Sequence, residues 1–113
     1  MRYGAWGIGL LTLAACSSAP SDAGQLTLNN PVWERVNVQV VMTKSANCDN
    51  RGEGFINIKD TVLRKGKGEV FFVPNGAAAC WRHDRNPDKP APGAWSGWSR
   101  ATLAPGQTAE TDI

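Results

Sequence analysis

The chain lacks most of the features that would point to a known catalytic chemistry. It contains one histidine, His83, and no Cys-x-x-Cys pair. A Ser-His-Asp triad would have to use His83, whose neighbour Asp84 is expected on the opposite face of a strand. No serine lies in a nucleophile-elbow sequence, and no glycine-rich phosphate loop is present. These absences favour a protein that is not an enzyme.

Charge of one sign and long apolar runs are also scarce. Twelve Lys and Arg oppose ten Asp and Glu, so no basic stripe indicates nucleic acid as a partner. No apolar run reaches the roughly 20 residues of a membrane-spanning helix. Twelve Gly and seven Pro in 113 residues predict one small domain with many turns.

Metal and cofactor sites are not indicated. The segment Asn47-x-Asp49-x-Arg51-Gly52 is only partly similar to a calcium loop, because Arg51 occupies a ligand position. Carboxylates that could pair for glycoside hydrolysis are expected in turns or on solvent faces. They are Glu34, Glu53, Asp60 and Glu69. We therefore expect no metal and no cofactor.

The most specific motif lies near the start of the chain. A short apolar segment, residues 5–13, leads into the motif Leu13-Ala14-Ala15-Cys16. These residues resemble the lipobox of bacterial lipoproteins, in which a signal peptide is removed and the cysteine is lipidated. The resemblance implies a signal peptide over residues 1–15 and acyl chains on Cys16 that anchor the protein to a membrane. The alternative is a plain secretory signal with a coincidental cysteine.

The residues after Cys16 bear on location and domain limits. Ser17, rather than Asp, follows the cysteine, and by resemblance to Gram-negative lipoproteins this implies the outer membrane with the domain facing the periplasm. Residues 16–24 are small and polar, which predicts a flexible tether. The folded domain is then expected over residues 25–113.

Alternating apolar and polar residues predict an all-β domain. In the clearest strand, 33–43, one face carries Val36, Val38, Val40 and Met42. Further strands are predicted over residues 25–29, 55–63, 70–73, 79–85, 95–103 and 108–113. About seven short strands with turns between them favour a small antiparallel β-sandwich.

Two of these strands carry finer expectations. In segment 55–63, Ile56 and Ile58 are expected to point inward, with a corner near Lys59 and Asp60. Residues 70–73 are apolar on both faces, which predicts a central or doubly covered strand.

Two segments repeat one spacing. A leucine is followed three residues later by glycine and ten residues later by a branched apolar residue: Leu63, Gly66 and Val73, then Leu103, Gly106 and Ile113. The repetition predicts two hairpins of similar geometry rather than a duplicated domain.

The three cysteines are expected to have two different roles. If Cys16 carries lipid, Cys48 and Cys80 remain as an even pair. An exported, oxidising context favours a disulfide between them, which in the chain-entropy picture stabilises by about 3–4 kcal/mol. A redox-active or metal-binding pair is the alternative.

Tryptophan and arginine concentrate in two runs, Trp81-Arg82-His83-Asp84-Arg85 and Trp95-Ser96-Gly97-Trp98-Ser99-Arg100. The second run resembles the WSxWS motif of fibronectin-III domains in cytokine receptors. The resemblance implies a fibronectin-III- or Ig-like sandwich in which guanidinium groups stack between indoles.

Two interpretations of these runs stay open. In one, the stack is a structural rib on a sheet face. In the other, the side chains form an exposed binding surface for sugar rings or a partner; its members would be Trp81, Arg82, His83, Trp95 and Trp98. On a regular strand Trp95 and Trp98 would face opposite sides unless Gly97 forms a bulge.

The sequence therefore predicts a non-enzymatic, membrane-anchored lipoprotein with a structural or adaptor role in contact with an envelope protein. The alternative is a module that binds saccharide, such as peptidoglycan, through exposed tryptophans.

Overall fold

The computed structural model describes residues 22–86 and 94–113, and this part of the chain contains strands and no helix. The strands are β1 (Ala23–Asn30), β2 (Arg35–Thr43), β3 (Phe55–Arg64), β4 (Lys67–Pro74), β5 (Ala78–His83), β6 (Ser99–Thr102) and β7 (Thr108–Asp112). The predicted all-β domain of about seven strands is confirmed. The predicted signal peptide, Cys16 and most of the tether lie outside the described residues.

The strands form two sheets that pack as a sandwich. One sheet has four strands in the order β3-β2-β5-β6, and the other has three in the order β4-β1-β7. The hydrogen-bonded strand pairs are antiparallel, with the exception of β1 and β7, which run parallel. The predicted sandwich is confirmed, but the parallel pairing departs from the expected all-antiparallel arrangement. Residue alternation is the same in both kinds of pair and does not distinguish them.

Strand β1 begins inside the predicted tether. Ala23 and Gly24 are buried members of the strand, so these two residues belong to the folded part of the chain and not to a tether. The lack of a side chain at Gly24 does not make the segment flexible. Instead it permits close packing, because a Cβ atom at Gly24 would lie 2.4 Å from the Cβ of Leu103.

Strand β2 is the centre of the four-stranded sheet and supplies much of the core. Val36, Val38 and Val40 are at most 1% exposed, and Met42 lies beside them. The predicted inward face is confirmed. Val41, on the opposite face, is also fully buried, so β2 is covered on both sides.

The expectations for β3 are wrong. Ile56 and Ile58 are 38% and 41% exposed, and no corner interrupts the strand. Leu63, opposite Val36 in the register, is the buried residue that sets the inward phase. Ile58 is an odd number of positions from Leu63, so in an unbroken strand it must face outward.

Strand β4 is an edge strand of its sheet, not a central one. Phe71 and Val73 point into the core, whereas Val70 and Phe72 are 45% and 39% exposed on the outer face. The prediction of a doubly covered strand is therefore wrong, because no layer covers the apolar outer face of β4 within the described residues.

The repeated Leu-x-x-Gly template marks two matching connections. The β3–β4 and β6–β7 turns each pass from the four-stranded to the three-stranded sheet, so they are arches between sheets rather than hairpins within one. Gly66 and Gly106 both have φ of 79°, a left-handed conformation that suits glycine. Their N–H groups donate to opposite ends of β1: Gly66 to Asn30 O at 2.7 Å, and Gly106 to Ala23 O at 2.9 Å.

Asn30 closes the end of β1 with a fully buried side chain. Its Nδ2 donates to Trp33 O at 2.8 Å and to Leu63 O at 2.9 Å. Its Oδ1 accepts from the N–H groups of Val32 and Trp33 at 3.2 and 3.0 Å. One amide therefore joins β1, the β1–β2 turn and the end of β3.

An ion pair spans one open side of the sandwich. Lys59 on β3 donates to Glu69 on β4, and Thr61 Oγ1 donates to the other oxygen of Glu69 at 2.7 Å. Burial acts to raise the pKa of Glu69, but the hydrogen bonds from Lys59 and Thr61 and the charge of Lys59 outweigh it, so this pKa is lowered.

Candidate functional site

The predicted disulfide joins Cys48, in the loop after β2, to Cys80 on β5, with Cα atoms 6.0 Å apart. It lies on the outer face of the four-stranded sheet, where Val41, Phe55 and Trp98 pack with it. The disulfide expectation is confirmed. Within residues 22–86 and 94–113, no three His, Cys, Asp or Glu side chains come together as a possible metal site.

On the same outer face, the guanidinium of Arg82 stacks on two indoles. Its Cζ atom lies 4.9 Å from the ring centroid of Trp95 and 4.3 Å from that of Trp98. We refer to these three residues as the Trp–Arg stack. Cation–π contacts of this kind contribute about 0.5–2 kcal/mol each, depending on desolvation.

Both indoles reach Arg82 because the segment before β6 is not a regular strand. The predicted strand over 95–103 reduces to β6, which begins at Ser99. Trp95 makes one isolated bridge to Asp84, and residues 96–98 have no strand structure. The strict alternation that would have separated Trp95 from Trp98 is therefore absent.

A line of polar side chains fixes the stack to the sheet. Gln39 Oε1 accepts from Arg82 Nε at 3.0 Å and from Arg82 Nη2 at 2.7 Å. Gln39 Nε2 donates to Asp60 Oδ1 at 3.0 Å. The strand register places Gln39 directly between Arg82 on β5 and Asp60 on β3, so the line crosses three neighbouring strands.

The second indole is held independently of the first. Trp98 Nε1 donates to Asp49 Oδ1 at 2.9 Å. Arg100 places Nη1 3.8 Å from the Cys48 sulfur and 3.7 Å from the Cys80 sulfur. Because Trp98 also packs against Cys48 and Cys80, the stack and the buried disulfide are in direct contact.

The predicted binding surface divides between the two faces of β5. Trp81 is 9% exposed and belongs to the hydrophobic core, so it is not part of an outer surface. His83 also points inward, and its ring centroid is 5.0 Å from that of Trp33. The odd numbering of residues 81 and 83 places them opposite Arg82 in a regular strand.

The surroundings of His83 make it a base that resists protonation. Burial lowers the pKa of His83, and the charge of Asp84 offsets this only in part. Since the unfolded chain takes up the proton more readily, the contribution of His83 to stability is present above a pH of about 6.5 and is lost below it. His83 contacts Trp33 from the end of the core, which gives it a packing role.

Sequence reasoning missed the structural part played by Asp84, which is fully buried on the outer side of β5. Its Oδ1 accepts from the N–H groups of Asn86 at 2.8 Å and Ala94 at 3.2 Å. Asn37 Nδ2 donates to Oδ2 at 3.5 Å. The carboxylate thereby connects residues on both sides of segment 87–93 and holds the chain where Trp95 begins the stack.

A groove lies between the Trp–Arg stack and β3, with a volume of about 540 Å³. Its floor contains cross-strand neighbours of the outer face, and Trp95 forms one wall. The lining residues that matter below are Asn37, Gln39, Asp60, Val62 and Trp95. We refer to it as the Trp95 groove. Its size falls within the roughly 300–1,000 Å³ typical of small-ligand sites.

No protein-family model matches the chain, and no curated protein or solved structure matches it. Across residues 22–86 and 94–113, no helix has the length and apolar character needed to cross a membrane. The outer face of the four-stranded sheet, whose side chains are arranged for stacking and hydrogen bonding, is the feature that bears on function.

Proposed function

We propose that the protein is a non-enzymatic lipoprotein of the cell envelope, held at the outer membrane through Cys16, with an adaptor role in the periplasm. The lipobox resemblance supports the anchor. A small sandwich stapled by a disulfide suits an oxidising compartment. The partner is an envelope protein that docks on the four-stranded sheet.

The observation that carries the adaptor role is the exposed edge formed by β3. This strand has ten residues and pairs with β2 on one side only. Its outer face exposes Ile56 and Ile58. An edge strand offers free backbone hydrogen-bonding groups, and a partner strand that adds to it gains both those bonds and alternate apolar contacts. We therefore assign the partner an extended segment with apolar residues at alternate positions.

The side chains of the four-stranded sheet favour binding over chemistry. Arg82 is engaged by two indoles and by Gln39. The single histidine, His83, packs against Trp33 on the inner side of the sheet. Arg82 and its partners are held in fixed positions, which suits a rigid recognition surface.

Crosslinking in intact cells tests the adaptor role, with adducts identified by mass spectrometry from the membrane fraction. We expect one recurrent envelope protein with the wild type and its loss with Ile58→Lys. Val70→Lys is the matched control, because Val70 is similarly exposed on the outer face of the other sheet. Adducts that survive Ile58→Lys would refute docking at β3.

The same preparations test the anchor. Cys16→Ser should give an unprocessed precursor without acyl mass, which intact-protein mass spectrometry detects. Normal processing with retention in the membrane would contradict the lipoprotein assignment.

A further inference from the structure

The Trp95 groove combines one aromatic wall with a polar floor. Trp95 is half-buried and faces a floor that includes the Gln39 amide and the Asp60 carboxylate. Val62, 42% exposed, adds an apolar contact on β3. An indole offers a flat apolar surface, while the amide and carboxylate offer directional hydrogen bonds.

The polar floor is held in place before any ligand arrives. Arg82 donates twice to Gln39, and Gln39 donates to Asp60 Oδ1. The second oxygen of Asp60, Oδ2, has no hydrogen-bond partner among residues 22–86 and 94–113. This oxygen can accept a hydrogen bond from a ligand, and the bond from Gln39 to Oδ1 holds the exposed carboxylate in position. Such preorganisation reduces the entropy lost when a ligand binds.

The charges around the groove favour a neutral ligand. The Arg82 cation and the Asp60 carboxylate lie at the two ends of the same hydrogen-bonded line. Arg82 also occupies the indole of Trp95 as a cation–π partner, so a second cation there would meet repulsion. A neutral molecule rich in hydroxyl groups satisfies the carboxylate oxygen without that cost.

We infer that the Trp95 groove is a binding site for a neutral saccharide, with a sugar ring packed against Trp95 and its hydroxyl groups donating to Asp60. This site is separate from the protein contact at Ile56 and Ile58, although both lie on the same sheet face.

Calorimetric titration of the full-length protein, in a detergent without a sugar headgroup, tests the site. The probe is the trisaccharide of N-acetylglucosamine. We expect weak, saturable binding, and Asp60→Asn should weaken it about tenfold because an amide accepts less strongly than a carboxylate. Trp95→Ala should abolish binding, while Trp95→Phe should retain part of it.

Asp112→Asn is the matched control, since Asp112 is an exposed aspartate on the other sheet; it should bind the trisaccharide as the wild type does. Absence of saturable binding would overturn the inference. Equal losses in Asp60→Asn and Asp112→Asn would also overturn it, as would preferential binding of a lysine amide in place of the sugar.

Different variants test the protein-docking site and the saccharide site. Ile58→Lys should remove the protein adducts and leave trisaccharide binding unchanged. Asp60→Asn should weaken trisaccharide binding and leave the protein adducts unchanged. Loss of adducts together with retained sugar binding therefore bears only on the adaptor role, and absent sugar binding with intact adducts bears only on the groove.

Discussion

Asn30→Asp is a nearly isosteric change at a position where the structure requires two donated hydrogen bonds. The asparagine Nδ2 donates to the carbonyl oxygens of Trp33 and Leu63 in a site with no solvent exposure. A carboxylate at this position has no proton to donate. Both carbonyl oxygens would then face the carboxylate oxygen that replaces Nδ2, and the bonds that join the end of β1 to the β1–β2 turn and to β3 would be lost.

The expected loss of stability follows from these two bonds. Each contributes about 1 kcal/mol net, and leaving a buried carbonyl unpaired costs about 1–3 kcal/mol. Together they predict a decrease of about 3–5 kcal/mol in the free energy of unfolding. That is a large share of the roughly 5–15 kcal/mol available to a small domain. With a urea m-value of about 1–3 kcal/mol/M, the unfolding midpoint should fall by about 2 M.

The loss should depend on pH. Burial and the facing carbonyl oxygens raise the pKa of the introduced carboxyl in the folded state above its unfolded value of about 3.9. The folded variant therefore binds more protons than the unfolded chain, and its stability falls as pH rises. Relative to the wild type, the deficit should be smallest near pH 4, where the protonated acid can donate one hydrogen bond.

Urea unfolding at pH 7 and at pH 4 measures both effects. Asn75→Asp is the control, because Asn75 is exposed in the turn between β4 and β5 and should change stability by less than about 0.5 kcal/mol. An equal midpoint for Asn30→Asp and Asn75→Asp would refute the reasoning, as would a deficit that grows at low pH.

Two further sets of variants, at the disulfide and at Arg82, test the outer face. Cys48→Ser and Cys80→Ser should each lower the free energy of unfolding by about 3–4 kcal/mol, and the double variant should be no worse than either one; additive losses in urea unfolding would contradict a shared bridge. Arg82→Ala should lower the free energy of unfolding by about 2–3 kcal/mol, because two indole contacts and the bonds to Gln39 are lost. Arg82→Lys should recover part of that loss. An unchanged melting temperature for Arg82→Ala would show that the Trp–Arg stack adds no stability.

Local patterns predicted the parts of the fold that depend on one strand or one pair. The inward face of β2 follows from strict period two, because Val36, Val38 and Val40 share it. The Cys48–Cys80 bond follows from cysteine parity and compartment. Neither feature depends on which strands become neighbours in a sheet.

The errors concern properties that depend on neighbouring strands. Exposed Val70 and Phe72 resemble buried residues in sequence, since hydrophobicity does not specify what covers a face. The outward phase of Ile58 is set by the pairing of Leu63 with Val36, across the sheet. The parallel contact of β7 with β1 likewise depends on the route of the arches.

The candidate site divides in the same way. The stacking of Arg82 on indoles was predicted through the resemblance of residues 95–99 to the WSxWS motif. The Trp95 groove was not, because Gln39 and Asp60 lie on strands far from Trp95 in sequence. Their approach is a product of the register of β2 with β3 and β5, which residue spacing alone does not encode.

The pairing of β1 with β7 has a consequence for the order of folding. The first strand lies at the centre of its sheet, and one of its neighbours, β7, comes more than seventy residues later in the chain. Contacts of such long sequence separation form slowly, since the intervening chain must first be ordered. A chain that is synthesised from its N-terminus therefore cannot complete the sandwich until residues 108–112 have been made. In an exported lipoprotein, that delay would keep the chain unfolded until its last strand is available.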